Sequence, residues 1–68
     1  MTFPVGAGVR DLATGQLGRV VRVPRRLSLR GCLAVRFDAE PSPRLIREHA
    51  LQYVARHYEA ARAWSLTT

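Results

Sequence analysis

The residues with the clearest chemical potential in this sequence are arginines gathered in its middle. Residues 19–36 contain six basic side chains and no acidic one, whereas segments 1–18 and 37–68 each hold equal numbers of acids and bases. The net charge of +6 therefore belongs to this middle segment. A guanidinium stays charged at physiological pH and pairs with phosphate through two parallel N–H donors. We predict a nucleic-acid-binding surface, for DNA or RNA, formed by Arg19, Arg22, Arg25, Arg26, Arg30 and Arg36.

The kind of contact follows from what the arginine segment lacks. No tyrosine or tryptophan lies within residues 19–36, although bound single strands commonly stack their bases on such side chains. We therefore expect contacts to the phosphate backbone and an affinity that falls as salt concentration rises. The same charge also suits an acidic protein surface. An interaction or assembly module with an acidic protein partner is accordingly the competing prediction.

The other reactive side chains form no pattern that favours catalysis or metal binding. Cys32 is the only cysteine, and no histidine stands at a zinc-ligand spacing from it. His49 and His57 are too far apart in sequence to form a ligand pair on one helical turn. The five acidic residues include no pair of carboxylates with a base beside it. We predict a protein that is not an enzyme and that carries no cofactor or metal.

Chain length and composition set the scale of the fold. A chain of 7.6 kDa has room for one hydrophobic core and is too small to enclose a deep cleft, so we predict a single domain over residues 1–68. A hydrophobic content of 47% is typical of a folded protein. No apolar run is long enough to span a membrane, and the N-terminal residues do not resemble a signal peptide. These features predict a cytoplasmic protein with no membrane contact, and our hypothesis for its origin is bacterial, plasmid or phage.

The first half of the chain predicts two strands joined by a turn. A short strand around Val9 leads to the turn, where Gly15 suits a positive φ. Residues 17–23 are rich in valine and stop before a proline, which predicts the second strand. Arg19 is an even number of residues from Val21 and Val23, so in a regular strand it would share a face with these two valines. The alternation of this segment is therefore uneven. A β-bulge or a close backbone approach at Gly18 would account for this.

A third strand, over residues 32–37, has the most regular alternation. Residues 25–31 precede it as a loop or wide hairpin tip that holds three arginines. This arrangement places Arg22 and Arg36 on the outward faces of neighbouring strands. The opposite face of the third strand would enter the core and consists of Leu33, Val35 and Phe37.

The last third of the chain permits two interpretations. In the first, it forms a strand at 44–47, a helical turn at 49–51, a strand at 52–54 and a helix at 55–64. In the second, one long helix begins with Ser42 as its N-cap and Pro43 at its first position. Periodicity alone does not separate them, but both make residues 55–64 helical.

Residues 9–23 resemble the KOW motif, which occurs in SH3-like barrels of ribosomal proteins and transcription elongation factors. The matching features are a hydrophobic strand, a turn with glycine, a second glycine and a valine-rich strand. Residues 33–38 follow at the distance of a third strand, and 44–54 look like the end of such a barrel. The resemblance covers roughly residues 6–54 and favours the first interpretation.

The resemblance implies a mainly β protein, a small SH3-like barrel of about five short strands, and the C-terminal α-helix at 55–64 is an addition outside the usual pattern of the family. KOW proteins mostly bind RNA or polymerase, and other SH3-like barrels bind DNA or peptides. By position, the contacting edges would be the turn at Thr14 and Gly15 and the loop 25–31. A looser likeness to small plasmid-encoded dihydrofolate reductases fails at their pore segment, which here reads Arg-Leu-Ile-Arg at 44–47.

The C-terminal helix offers a second surface. Tyr58 and Trp64 lie on it and are expected to pack on the barrel if the helix folds back. If it does not, they form a partner interface through which the chain could self-associate as a homo-oligomer.

Overall fold

The computed structural model describes residues 3–27 and 30–67, with side chains up to residue 64. These residues form a curled antiparallel sheet, a half-barrel in the order β4-β3-β2-β1-β5, with one helix at the C-terminal end. The predicted class, mainly β with about five short strands and a C-terminal helix, is confirmed. The elements are β1 (Gly8–Asp11), β2 (Leu17–Val21), β3 (Cys32–Phe37), β4 (Arg44–Arg47), β5 (Leu51–Ala55) and α1 (Tyr58–Thr67), with short 3-10 helices at Arg25–Leu27 and Glu48–Ala50.

The core lies on the concave face of the sheet. β3 alternates as predicted, and two of its core residues, Val35 and Phe37, are almost fully buried. Val9 of β1 is also buried, as the sequence indicates, and Val20 of β2 packs beside it. These side chains form one apolar cluster, against which Leu33 and Ile46 are partly buried.

The alternation of β2 differs from the prediction. Gly18 and Val20 face the core, so Arg19 and Val21 share the outer face and the strand alternates without a bulge. The close backbone approach predicted at Gly18 is present. A Cβ there would lie 2.7 Å from Cγ1 of Val35 and 2.9 Å from Cδ1 of Phe37. Glycine is therefore needed for β2 to lie this close to the core of β3.

The turn between β1 and β2 is organised by Asp11, which is buried. Its carboxylate Oδ1 accepts the backbone N–H of Ala13 at 2.9 Å, and its carbonyl accepts that of Gly15 at 2.7 Å. Gly15 has φ of +79°, as predicted for this turn. Aspartate usually stabilises a turn in this way: its carboxylate accepts a hydrogen bond from the backbone N–H of the residue two positions later.

The C-terminal third follows the first interpretation, with two strands separated by a short 3-10 helix. The helix begins at Tyr58 and not at residue 55, because Ala55 is still paired with Gly8 in the sheet. α1 then packs across the outer face of β1, where a Cβ at Gly8 would overlap that of Ala61. Within residues 3–27 and 30–67, no helix has the length and apolar character needed to cross a bilayer.

Candidate functional site

Four of the predicted arginines surround the connection between β2 and β3. Arg25 and Arg26 are exposed on the short 3-10 helix, which the N–H of Leu27 closes by donating to the carbonyl of Pro24 at 2.9 Å. Arg30 is exposed in the turn before β3, and Ser28 and Leu29 lie outside the described residues. Arg22 is exposed but follows the last residue of β2, so its predicted place on a strand face is wrong.

Arg47 joins these four, although it lies outside the arginine-rich segment 19–36 of the sequence. It is the last residue of β4 and lies opposite Cys32, the first residue of β3. The N–H of Glu48 donates to the carbonyl of Gly31 at 2.9 Å, which fixes this end of β4 beside the turn that carries Arg30. We call the resulting group the arginine cluster, and it consists of Arg22, Arg25, Arg26, Arg30 and Arg47.

The arginine cluster is uncompensated within the described part of the chain. All five side chains are exposed, and none has an ion pair or hydrogen bond to another described residue. Glu48 is the acid nearest to the cluster in sequence and is partly buried. The cluster therefore presents charged N–H donors to solvent, in position for an anionic partner.

Arg19 and Arg36 lie apart from the cluster, on the outer face of the sheet. They are directly opposite each other on β2 and β3. Arg19 donates from Nη2 to Oε1 of Glu59 at 2.9 Å, and its guanidinium lies 4.7 Å from the centre of the Tyr58 ring. Arg36 is exposed and has no such partner among the described residues. The structure thus holds Arg19 in place and leaves Arg36 accessible to an anionic ligand.

Three of the five acidic side chains lie at the opposite end of β3. Arg44 pairs there with Glu40 at 2.8 Å and lies 3.8 Å from a carboxylate oxygen of Asp11, with its guanidinium over the Phe37 ring. Asp38 accepts a hydrogen bond from the Tyr58 hydroxyl. β3 spans roughly 17 Å at about 3.3 Å per residue. The sheet is consequently polarised, with the arginine cluster at one end of β3 and three carboxylates at the other.

The two aromatic residues proposed for a partner interface have different environments. Tyr58 is 8% exposed, because α1 folds back on the sheet, so it packs within the chain and does not form a partner surface. Burial is the main cause that raises the pKa of its hydroxyl above 10.0, followed by the hydrogen bond to Asp38 and the charge of that carboxylate. The phenol therefore remains a donor at neutral pH. Trp64 is 59% exposed and lies where a partner could reach it.

A small pocket opens between the start of α1 and the outer faces of β2 and β3. Its volume is about 270 Å³. The side chains that give it chemical character are two cations, two carboxylates, one phenol and one apolar residue: Arg19, Arg36, Asp38, Glu40, Tyr58 and Val21. We call it the outer pocket. Sequence reasoning did not find it, since its walls come from segments up to about 40 positions apart.

The remaining candidates do not assemble into a further site. Cys32 is partly buried as a free thiol at the start of β3, and His49 and His57 are both exposed. In the described part of the chain, no three potential metal ligands come together. No known family, no curated protein and no solved structure matches this chain. The resemblance to KOW domains therefore stays a prediction.

Proposed function

We propose that the protein binds nucleic acid, with the arginine cluster pairing with phosphates of the backbone. The observation that carries the proposal is the convergence of five arginines that have no acidic partner among the described residues. They come from three parts of the chain: the end of β2, the β2–β3 connection and the end of β4. Their mutual repulsion is unfavourable in the free protein. A phosphate backbone offsets it and releases counterions when it binds.

The polarity of the sheet supports an oriented mode of binding. Like charges repel the backbone from the carboxylates near Asp38 and Glu40, while the opposite end of β3 attracts it. Arg36 continues the positive charge along the outer face, at about 13 Å from the start of β3 for four residues of strand. Backbone contacts would therefore run from the arginine cluster along this face towards Arg36.

The test uses fluorescence anisotropy to measure binding to labelled DNA and RNA over a range of salt concentrations. The variant Arg25→Gln/Arg26→Gln should bind roughly five- to tenfold more weakly, and its salt dependence should fall by about 1.4 to 1.8 in log–log slope. The matched control Arg56→Gln/Arg62→Gln removes the same charge outside the cluster and should change affinity far less. Absence of binding at low salt to any DNA or RNA strand would refute the proposal.

A second function, self-association or protein binding through α1, is supported by one observation. Trp64 is 59% exposed on a helix whose other aromatic residue, Tyr58, is buried. Large exposed aromatic side chains are enriched in protein interfaces. Light scattering separates this function from the first: self-association raises the mass with concentration, and Trp64→Ala restores 7.6 kDa. A mass that stays at this value throughout would exclude the self-association.

A further inference from the structure

We propose that the outer pocket takes an unpaired guanine base, which makes the ligand a single strand. This inference rests on the proposed function, because the arginine cluster must hold the backbone that delivers the base. It adds a base-reading site to a surface for which the sequence indicated backbone contacts alone. The argument uses the cation–π pair of Arg19 and Tyr58, the carboxylates of Asp38 and Glu40, and the exposed cation Arg36.

The stacking surface is built by the fold. The Arg19 guanidinium lies over the Tyr58 ring at 4.7 Å and is held at its edge by Glu59. Nearly half of the Arg19 side chain remains exposed, at 46%. A guanidinium plane that is fixed in this way can receive a base on its open side, as arginines do in single-strand recognition. Val21 adds an apolar side chain to the same pocket.

The carboxylates supply acceptors for the edge of the base. Asp38 receives the Tyr58 hydroxyl on Oδ1, and Glu40 receives Arg44 on Oε1. Each carboxylate therefore keeps its second oxygen, Oδ2 or Oε2, for a donor in the pocket. Both bonds also restrict the orientation of the side chains, which lowers the entropy lost when a base is bound.

Guanine fits this set of acceptors best. Its Watson–Crick edge carries two adjacent donors, N1–H and N2–H₂, whereas adenine and cytosine offer one amino group and uracil or thymine one imide N–H. An ionised carboxylate accepts hydrogen bonds but cannot donate them. A base edge that presents mainly carbonyl oxygens therefore leaves the two carboxylates without donors. Arg36, at the same pocket, is placed to pair with the phosphate next to the bound base.

The outer face joins the pocket to the arginine cluster. An apolar row crosses the three strands between them, from Val21 through Ala34 to Leu45. Leu45 is 42% exposed, so part of this row is open to a ligand. The distance along β3 between Arg36 and Cys32 is about 13 Å. A single strand can thus contact the cluster with its phosphates and reach the pocket with a base a few nucleotides further on.

The experiment compares octathymidylate with the same strand carrying guanine or hypoxanthine at one central position, by anisotropy with the full chain. Guanine should bind about tenfold tighter than thymine, the discrimination of one good two-point base contact. Hypoxanthine lacks the N2 amine and should fall between the two. Octauridylate with one guanine tests whether the preference is the same in RNA.

Two variants assign the preference to the pocket. Asp38→Asn should abolish most of the guanine preference while the affinity for octathymidylate stays the same or rises. Tyr58→Phe removes the bond to Asp38 but keeps the carboxylate, so it should retain a preference for guanine. It also shows whether Asp38→Asn acts through the base or merely through the loss of the phenol contact.

The outcomes separate this inference from the function on which it rests. If all strands bind with the salt dependence of the arginine cluster but guanine gives no gain, or Asp38→Asn leaves the gain intact, the pocket inference is wrong and the proposed function stands. If no single strand binds at low salt but duplex DNA or RNA does, the pocket inference is again wrong and the proposed function stands; if neither binds, both are wrong. Chemical shifts of the wild-type amides at Arg36 and Asp38 should move with guanine strands and not with octathymidylate, and unmoved shifts would contradict the site.

Discussion

Arg19 and Arg36 lie directly opposite each other in the ladder between β2 and β3, so two positive side chains share one row of the outer face. Like charges in this position destabilise a sheet. Arg19 is compensated by Glu59, which approaches from α1 at 2.9 Å. Arg36 is not compensated by any described residue. The helix therefore neutralises one member of the pair and leaves the other for an anionic ligand.

Removing that compensation should strengthen nucleic-acid binding at little cost to the fold. Glu59→Gln deletes a negative charge and releases Arg19 towards the phosphate backbone, so we expect affinity for octathymidylate, which brings no guanine to the outer pocket, to rise about two- to fourfold at low salt. The Arg19–Glu59 pair is largely exposed, with side chains 46% and 78% accessible. Its loss should lower the free energy of unfolding by less than about 1 kcal/mol. Anisotropy and urea denaturation measure the two effects.

The control for Glu59→Gln is the same substitution made in an Arg19→Gln background, where no guanidinium remains to be released. If Glu59→Gln raises affinity equally in both backgrounds, net charge alone explains the gain and the release of Arg19 does not. A Glu59→Gln variant that binds no better than the wild type would contradict the compensation that we assign to this pair.

The core should not tolerate a methyl group at Gly18. In Gly18→Ala the new Cβ meets Val35 at 2.7 Å and Phe37 at 2.9 Å, in a region where both side chains are buried. Overpacking of this kind costs about 1–3 kcal/mol. Urea denaturation should show this loss in the free energy of unfolding.

Gly31→Ala is the control for this substitution. A Cβ at Gly31 meets nothing within 4 Å, so only its φ of +77° opposes the change. That conformation costs an L-residue about 1–2 kcal/mol. The two variants differ in where they act: Gly18→Ala should alter the near-ultraviolet circular dichroism of the core, and Gly31→Ala should not. A Gly18→Ala protein as stable as the wild type would disprove the close contact.

Local features of the sequence predicted much of the fold. The alternation of β3 and the turn at Gly15 depend on neighbouring residues, and both are confirmed. The sequence did not assign the buried face of β2, because Arg19 has the same parity as two of the valines in that segment. The register instead places Gly18 opposite Phe37, and this puts the small residue and Val20 against the core. Residue type alone does not reveal such a register.

The candidate site was less predictable than the fold, since its parts are far apart in sequence. The arginines of residues 19–36 were visible as a run of charge. Arg47 lies in the arginine cluster because β4 pairs with β3 and places it opposite Cys32. Arg19 is bound by Glu59 because α1 folds back on the sheet. The outer pocket needs the folding back of α1, which brings Tyr58 beside Arg19, and the contact between Tyr58 and Asp38. Long-range pairing of this kind has no local signal.

Stability should decrease at alkaline pH through Tyr58. The pKa of its hydroxyl is raised above 10.0 in the folded chain, first by burial and then by Asp38, against the smaller opposing effects of Arg62 and Arg19. The unfolded chain therefore loses this proton first. The stabilisation is complete below the unfolded pKa and is lost as pH rises through the folded pKa.

The measurement is the urea midpoint of wild type and Tyr58→Phe from neutral pH to above the unfolded pKa. At neutral pH the variant should be less stable by about 0.5–1.5 kcal/mol, the usual contribution of one hydrogen bond. The difference should shrink as pH rises beyond about 10, because ionised tyrosine can no longer donate to Asp38. A difference that is constant across this range would show that Tyr58 does not titrate as its burial indicates.

Arg47 should contribute to binding as strongly as the arginines of the β2–β3 connection. It belongs to the cluster through its position opposite Cys32, at the end of β4 beside Arg30. We expect Arg47→Gln and Arg30→Gln each to weaken binding about two- to fivefold and to lower the log–log salt slope by about 0.7–0.9, the value for one phosphate contact. Arg56→Gln is the matched control, since Arg56 follows β5, which β1 and β2 separate from β3. If Arg47→Gln behaves like Arg56→Gln while Arg30→Gln weakens binding, the contact surface ends at the connection. The end of β4 would then have no part in it.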